Sequence, residues 1–296
     1  MSEAPRTGPF FAPGAVITPT YAIERFLGSG AYGEVYCVRH KYLGRQAMKI
    51  FPPGGLEPTR DFFQEARILL EVTDPNIVRV FDANVLETAG QELPFMVMEY
   101  IEGETLGSLL RRTVRLSIDE ALGLAHDMCR GLSAAHTLEP PLLHLDLTLG
   151  NVLVTTVRGR RAAKIADFGV AAHVHPKTRM ARAQGEYFFM APEMFWGYAT
   201  TASDVYSLAF LLYWVLAGVP PFPRPDLPEG ASRDTLVNAI RATRNTEPPP
   251  LERFRHEVPA ALAKIVAKAL SLEPESRFSD AAEFWRAVQD VSARLR

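Results

Sequence analysis

Alternating apolar and polar positions mark the first third of the chain, and a 3.6-residue spacing marks most of the remainder. Short runs rich in β-branched and aromatic residues at Tyr21–Leu27, Glu34–Arg39, Gln46–Ile50, Val78–Ala83 and Phe95–Glu99, mostly separated by Gly, Pro or Asn, predict strands. One helix, Asp61–Val72, interrupts them. From about Leu106 onward helices dominate. Ser117 followed by Glu120 forms a capping-box signature, and Ile118–Thr137 then keeps apolar residues at helical spacing. A tight hairpin is expected around Arg158–Arg161, a mobile segment over His173–Gly185, and further helices near 204–217, 233–244, 259–271 and 280–294. The pattern is α+β, with a small β-rich lobe over 21–101 carrying one main helix and a larger helical lobe over 102–296, joined near Glu99–Gly103. Residues 1–20, rich in Pro, Gly and Ala, are expected to be a flexible lead-in without the basic start and apolar core of a secretory signal.

The most apolar run, Val205–Ala217, is shorter than the roughly 18 residues a membrane span needs. It starts after Asp204 and ends before Gly218, so it reads as a buried core helix, and no membrane segment is expected. The charge balance, 32 basic against 34 acidic residues in 296, gives no sign of a nucleic-acid-binding surface. Cys37 and Cys129 stand far apart, which excludes a disulfide framework and fits a cytoplasmic setting. Arg158, Arg160 and Arg161 flank Gly159 and read as a solvated hairpin tip. The proline-rich stretches Val219–Pro228 and Pro248–Pro250 read as rigid connectors.

Candidate chemistry begins with Gly28-Ser29-Gly30-Ala31-Tyr32-Gly33, a glycine-rich turn whose missing side chains let backbone amides approach phosphates. A dinucleotide-binding unit would need a helix straight after it, whereas Glu34-Val35-Tyr36-Cys37-Val38 continues as strand. The next strand carries Ala47-Met48-Lys49, and Glu65 follows sixteen residues later in the predicted helix. Farther on come His144-Leu145-Asp146-Leu147-Thr148-Leu149-Gly150-Asn151 and then Asp167-Phe168-Gly169.

This ordered set resembles the protein kinases, and bacterial eukaryotic-like (Hanks-type) serine/threonine kinases in particular through Ala263–Phe284 with Pro274-Glu275-Ser276-Arg277-Phe278. The resemblance covers about Tyr21 to Arg296 and implies a two-lobed protein-kinase fold acting on ATP with Mg²⁺ and on protein hydroxyls. It implies that Lys49, oriented by Glu65, contacts the nucleotide phosphates, that Asp146 orients the acceptor hydroxyl and takes its proton, and that Asn151 and Asp167 ligate Mg²⁺. Leu27, Gly28, Ser29, Gly30 and Gly33 would cover the nucleotide. Val35, Ala47 and Leu153 would sandwich adenine, with Met98 as gatekeeper and Glu99 and Ile101 in the hinge. Met190-Ala191-Pro192-Glu193 resembles the end of an activation segment, Ser203–Leu208 the start of the central helix of the large lobe, and Arg277 the partner of Glu193.

Several positions depart from the family. Leu145 stands where an arginine usually precedes the catalytic Asp, so the chain resembles the non-RD variant, and Ala172 and Asp61 offer no alternative anion grip. Between Gly169 and Ala191 only Thr178 and Tyr187 carry hydroxyls, and activity is expected without activation-segment phosphorylation. Thr148 replaces a γ-phosphate lysine, with Lys177 or Arg179 as candidate substitutes, and Glu186 replaces the threonine that accompanies it. Gly150 and Trp214 occupy positions where basic-directed kinases place acids, so a basic consensus is not expected. Phe188 and Phe189 read either as an acceptor-side apolar pocket or as core. His173 and His175 read as solvated. A small-molecule kinase of the related phosphotransferase fold and an ATP-binding pseudokinase scaffold stand as alternatives to a serine/threonine protein kinase.

Overall fold

The alternating runs pair into an antiparallel five-stranded sheet in the first of two compact units, which comprises Met1–Thr73 and Val78–Glu102. The structure is a computed structural model and describes residues 9–30, 33–51, 60–88, 90–168, 186–226 and 232–293. The strands are β1 (Tyr21–Gly30), β2 (Gly33–His40), β3 (Gly44–Ile50), β4 (Val80–Thr88) and β5 (Gln91–Glu99), in the order β1-β2-β3-β5-β4, with α1 (Arg60–Glu71) packed on β4. Residues directly opposite one another share a sheet face. Tyr36, Met48 and Val97 lie in register on one face and, with Val38, Ile50 and Phe95, form a buried core. Val35 opposite Lys49, and Cys37, Ala47 and Met98 in one row, lie on the other face. The pleat therefore separates the core from the side chains singled out for chemistry.

Residues 9–20 do not form a free lead-in. The Phe10 N–H donates to Glu34 Oε2 at 2.8 Å, Gly14 N–H to Ile23 O and Ile23 N–H to Ala15 O, and Ile17 enters the core at 7% exposure. The apolar spacing of Phe11, Ala15 and Ile17 gives this stretch something to bury, which its Pro/Gly content obscured. β4 and β5 also run farther than their apolar centres, because the polar residues Glu87, Gln91 and Glu92 extend the ladder beyond the core.

The second unit comprises Asp74–Ile77 and Gly103–Arg296. A three-stranded antiparallel sheet, β6 (Gly103–Thr105), β7 (Val152–Val157) and β8 (Arg160–Ile165), accompanies helices α2 (Leu106–Thr113), α3 (Ile118–His136), α4 (Thr201–Ala217), α5 (Arg233–Arg244), α6 (Ala260–Ala269) and α7 (Ala281–Ala293). α4 is buried along nearly its whole length, with α3, α6 and α7 packed on it, which accounts for an apolar helix without a polar face. Among the described residues no helix is long and apolar enough to cross a membrane. The expected capping box opens α3: Ser117 Oγ accepts the Glu120 N–H at 3.2 Å, and Glu120 accepts the Ser117 N–H in return.

The β7–β8 hairpin is not simply solvated. Arg161 pairs with Glu120 at 2.5 Å and Arg160 with the buried Asp127 at 3.3 Å, while Asp127 Oδ2 also accepts the Ala163 N–H. Two of the three arginines thus fasten the hairpin to α3. The expected mobile segment 173–185 and the histidines His173 and His175 lie outside the described residues.

Candidate active site

In the first unit the glycine-rich turn is the tip of the β1–β2 hairpin, with Gly28 opposite Val35, Ser29 opposite Glu34 and Gly30 opposite Gly33. The glycines differ in what they require. A Cβ at Gly33 would lie 2.4 Å from Ile50 O, so the backbone packing itself excludes a side chain there. At Gly28 and Gly30 a Cβ meets nothing within 4 Å among the described residues, which leaves that backbone accessible to a close ligand. Leu27 is half-exposed and Val35 partly buried.

Lys49 is 4% exposed on β3, with its Nζ 5.7 Å from the Phe51 ring centroid. Ala47 and Met98 are buried opposite one another, and Glu99 and Ile101 at the end of the sheet segment are partly exposed. Val35, Ala47, Lys49 and Met98 therefore share one face of the sheet. Glu65 falls within α1, but its side chain, and with it the Lys49–Glu65 pairing, lies outside the described residues.

In the second unit a hydrogen-bond network joins Asp146 and Asn151 and reaches Ala166, the residue before Asp167. Asn151 Nδ2 donates to Asp146 O at 2.8 Å and to Asp146 Oδ2 at 3.0 Å. Its donor end is thereby engaged, which assigns the amide orientation and turns Oδ1 toward other partners. Asn151 O accepts the Ala166 N–H at 2.8 Å, one residue before Asp167. His144, fully buried, accepts the Asp146 N–H at Nδ1 (3.1 Å) and meets Ala166 O at Nε2 (2.9 Å). An acceptor on one nitrogen and a carbonyl on the other select the neutral Nε2–H tautomer. The Phe168 ring stands edge-on to His144, with centroids 4.6 Å apart. Leu153 is partly buried on β7 opposite Thr105 and Lys164.

Two residues beside this network have left-handed backbones, Leu145 at φ 61° and Asp167 at φ 60°. For residues other than glycine such backbones are held only by surrounding structure. At Leu145 the restraint is Asp204, whose Oδ1 accepts the Leu145 N–H at 2.7 Å and whose Oδ2 accepts the His144 N–H at 2.8 Å and meets His136 Nε2 at 2.9 Å. Burial alone would raise the Asp204 carboxyl pKa, but the His136 bond and the backbone N–H of His144 outweigh it and hold the group below its ordinary value. Asp204 marks the start of a helix in the sequence. Its grip on the loop preceding Asp146 was missed, because its partners lie about 60 residues earlier in the chain.

Thr148 is not turned outward as a lysine substitute. It is buried, and its Oγ1 accepts the N–H groups of Gly150 (3.2 Å) and Asn151 (3.3 Å), shaping the loop. The Glu186 side chain and residues Lys177 and Arg179 lie outside the described residues. Glu193 and Arg277 form a buried bidentate pair at 2.7 and 2.8 Å. Ser203 adds a bond to Glu193, and the carbonyls of Ser271 and Leu272 accept from Arg277. Phe188 and Phe189 are both buried, and Phe189 also lines a cleft. Beneath them lies Arg244, which no motif revealed. It is 3% exposed, with its guanidinium 4.4 Å from the Phe222 ring centroid and Nη2 donating to Phe188 O at 2.6 Å. Burial lowers its pKa.

A serine/threonine-protein kinase, drp72, of Corynebacterium efficiens is 32% identical over 284 residues, covering 93% of this chain and 51% of that protein. PknA of Mycobacterium tuberculosis is 31% identical, covering 96% of this chain and 64% of its own. The chain thus spans about half to two thirds of the length of these relatives. Among solved structures, the kinase domain of M. tuberculosis PknI superposes with a TM-score of 0.71 at 26% identity, covering 96% of this chain and 99% of that one. Residues 21–289 match the protein kinase domain family, and with the ordered set from Gly28 to Arg277 in place the chain belongs to that family.

Proposed function

We propose that this domain transfers the γ-phosphate of MgATP to serine or threonine hydroxyls of proteins. The observation that carries the reading is the bonding of the Asn151 side chain to both the backbone and the carboxylate of Asp146, which orients a carboxylate and an amide oxygen together in a loop bonded to Ala166, the neighbour of Asp167. Lys49 and the open backbone at Gly28 and Gly30 suit phosphate oxygens, and Ala47, Met98 and Val35 suit an apolar ring.

In this assignment Asp146 orients the acceptor hydroxyl and takes its proton as the oxygen–phosphorus bond forms and the bond to the ADP oxygen breaks. Asn151 Oδ1 and the Asp167 carboxylate form a hard oxygen donor set that fits Mg²⁺. The metal, when bound, offsets phosphate charge. The relatives' names support protein hydroxyls as acceptors, and the buried Glu193–Arg277 pair supports a protein-kinase large lobe over a small-molecule kinase.

The test is incubation with labelled ATP and Mg²⁺ beside Asp146→Asn. Label entering serine or threonine only with intact Asp146 is the expected result. Nucleotide binding without Asp146-dependent transfer would leave the scaffold reading, and transfer only to small molecules would leave the other alternative.

A further inference from the structure

A cleft of about 490 Å³ opens in the second unit beside the loop that follows Asp146. Thr148, Leu149 and Gly150 line it, so whatever fills it lies within a few residues' reach of the proposed acceptor site. Phe189 and Trp214 provide its aromatic surface, with ring centroids 6.0 Å apart and planes 19° from parallel. Between Ala202 and Ala217 every residue of α4 is buried except Trp214, so this ring departs from an otherwise closed helix to meet the cleft.

The charges lining the cleft have one sign. Among the described residues Arg111 and Arg224 line it and no acidic residue does. Arg112, next in the chain, is paired with Glu104 at 2.5 Å. Arg111 instead bonds the neutral Ser108 hydroxyl, and Arg224 lies over the Phe188 ring at 5.2 Å. Among the described residues neither has a carboxylate partner. Gly150 leaves room as well, since a Cβ there meets only Thr148 Oγ1, at 3.5 Å.

Resting on the phosphotransfer reading above, we infer that this cleft selects the acceptor. It takes a bulky apolar side chain against Trp214 and Phe189 and an anionic side chain, carboxylate or phosphate, at Arg111 and Arg224. The substrates are then protein segments in which the phosphorylated hydroxyl stands near an acidic and an aromatic or aliphatic residue. A lysine or arginine placed there meets two like charges, with no counter-charge among the described residues, and is rejected. Both guanidinium groups are exposed, so solvent screens each contact and the discrimination per position is modest, about fivefold.

The test uses a positional-scanning library of serine/threonine peptides that includes phosphothreonine beside Asp and Glu, with labelled ATP and Mg²⁺. The parent protein is expected to favour anionic residues over Lys and Arg about fivefold at one or more positions near the acceptor, and Phe, Trp or Leu at another. The phosphothreonine arm separates a phosphate reader from a carboxylate reader. Arg224→Glu, on an exposed side chain, is expected to abolish or reverse the charge preference. Gly150→Glu, placed in open space, is expected to shift it toward Lys and Arg, and Trp214→Ala to erode the aromatic preference through KM. Incorporation with a flat or basic preference that Arg224→Glu leaves unchanged overturns the inference alone. No Asp146-dependent incorporation into any peptide or into the protein itself overturns the phosphotransfer reading and the inference with it.

Discussion

Asp204 accepts the backbone N–H of Leu145 at 2.7 Å while Leu145 stands in a left-handed backbone conformation at φ 61°. An Asn in place of Asp204 would turn an amide N–H₂ toward a donor, leaving one of His144 N–H, Leu145 N–H and His136 unsatisfied in a fully buried site. Asp204→Asn is expected to cost about 3 kcal/mol in urea unfolding. The lowered carboxyl pKa sets the sign of the pH effect. Its contribution to stability is complete above the ordinary value of 3.8 and is lost as pH falls through the lower folded value. The parent should therefore lose stability below about pH 4 more steeply than Asp204→Asn.

Gly33 and Gly28 separate folding from ligand approach. Gly33→Ala forces a Cβ to 2.4 Å from Ile50 O and is expected to lower the melting temperature by several degrees, about 2 kcal/mol of stability. Gly28→Ala meets open space and should leave melting nearly unchanged while weakening nucleotide binding in a titration. Equal melting losses in the two variants would contradict this division.

Arg277→Met removes one half of a buried ion pair and leaves Glu193 with Ser203 as its described partner. The loss expected from denaturant midpoints is about 3–5 kcal/mol. Arg277→Lys should recover little, since a single ammonium cannot reproduce two bonds to Glu193 together with those to the Ser271 and Leu272 carbonyls.

Thr148→Val keeps the shape of a buried side chain and deletes the acceptor of two loop N–H groups. It should cost about 1–2 kcal/mol and lower phosphotransfer by loosening Asn151. Retained stability with unchanged turnover would show that the hydroxyl does not shape the loop.

Leu145 offers no cation to a phosphorylated activation segment, and Thr178 is one of only two hydroxyl side chains between Gly169 and Ala191. Phosphatase-treated parent and Thr178→Ala are expected to show equal initial rates. A loss of tenfold or more in the variant would tie activity to that residue.

The alternation that made β2 and β3 readable also placed Val35, Ala47, Lys49 and Met98 on one face, while their candidate roles came from the family resemblance. Asp146, Asn151 and Asp167 were legible as an ordered set, and Glu193 with Arg277 as a pair across 84 positions. Features without local periodicity were not. β6 is three residues long, α2 eight, and Asp127 and Asp204 gain meaning from partners distant in the chain, among them backbone N–H groups 36 and 60 positions away. Arg244 looked like an ordinary helix-end cation. Only tertiary packing surrounds it with aromatic rings and directs it to the Phe188 carbonyl.

The segment running from Phe10 to Ile17 has a mechanical consequence for the glycine-rich hairpin. Phe10 is bonded to Glu34, Phe11 leans on Tyr36, and Ile17 is set into the core, so the stretch of β2 nearest the hairpin tip is splinted from outside. The brace thereby reaches Glu34, directly opposite Ser29, and holds β2 in place beside the open space at Gly28 and Gly30.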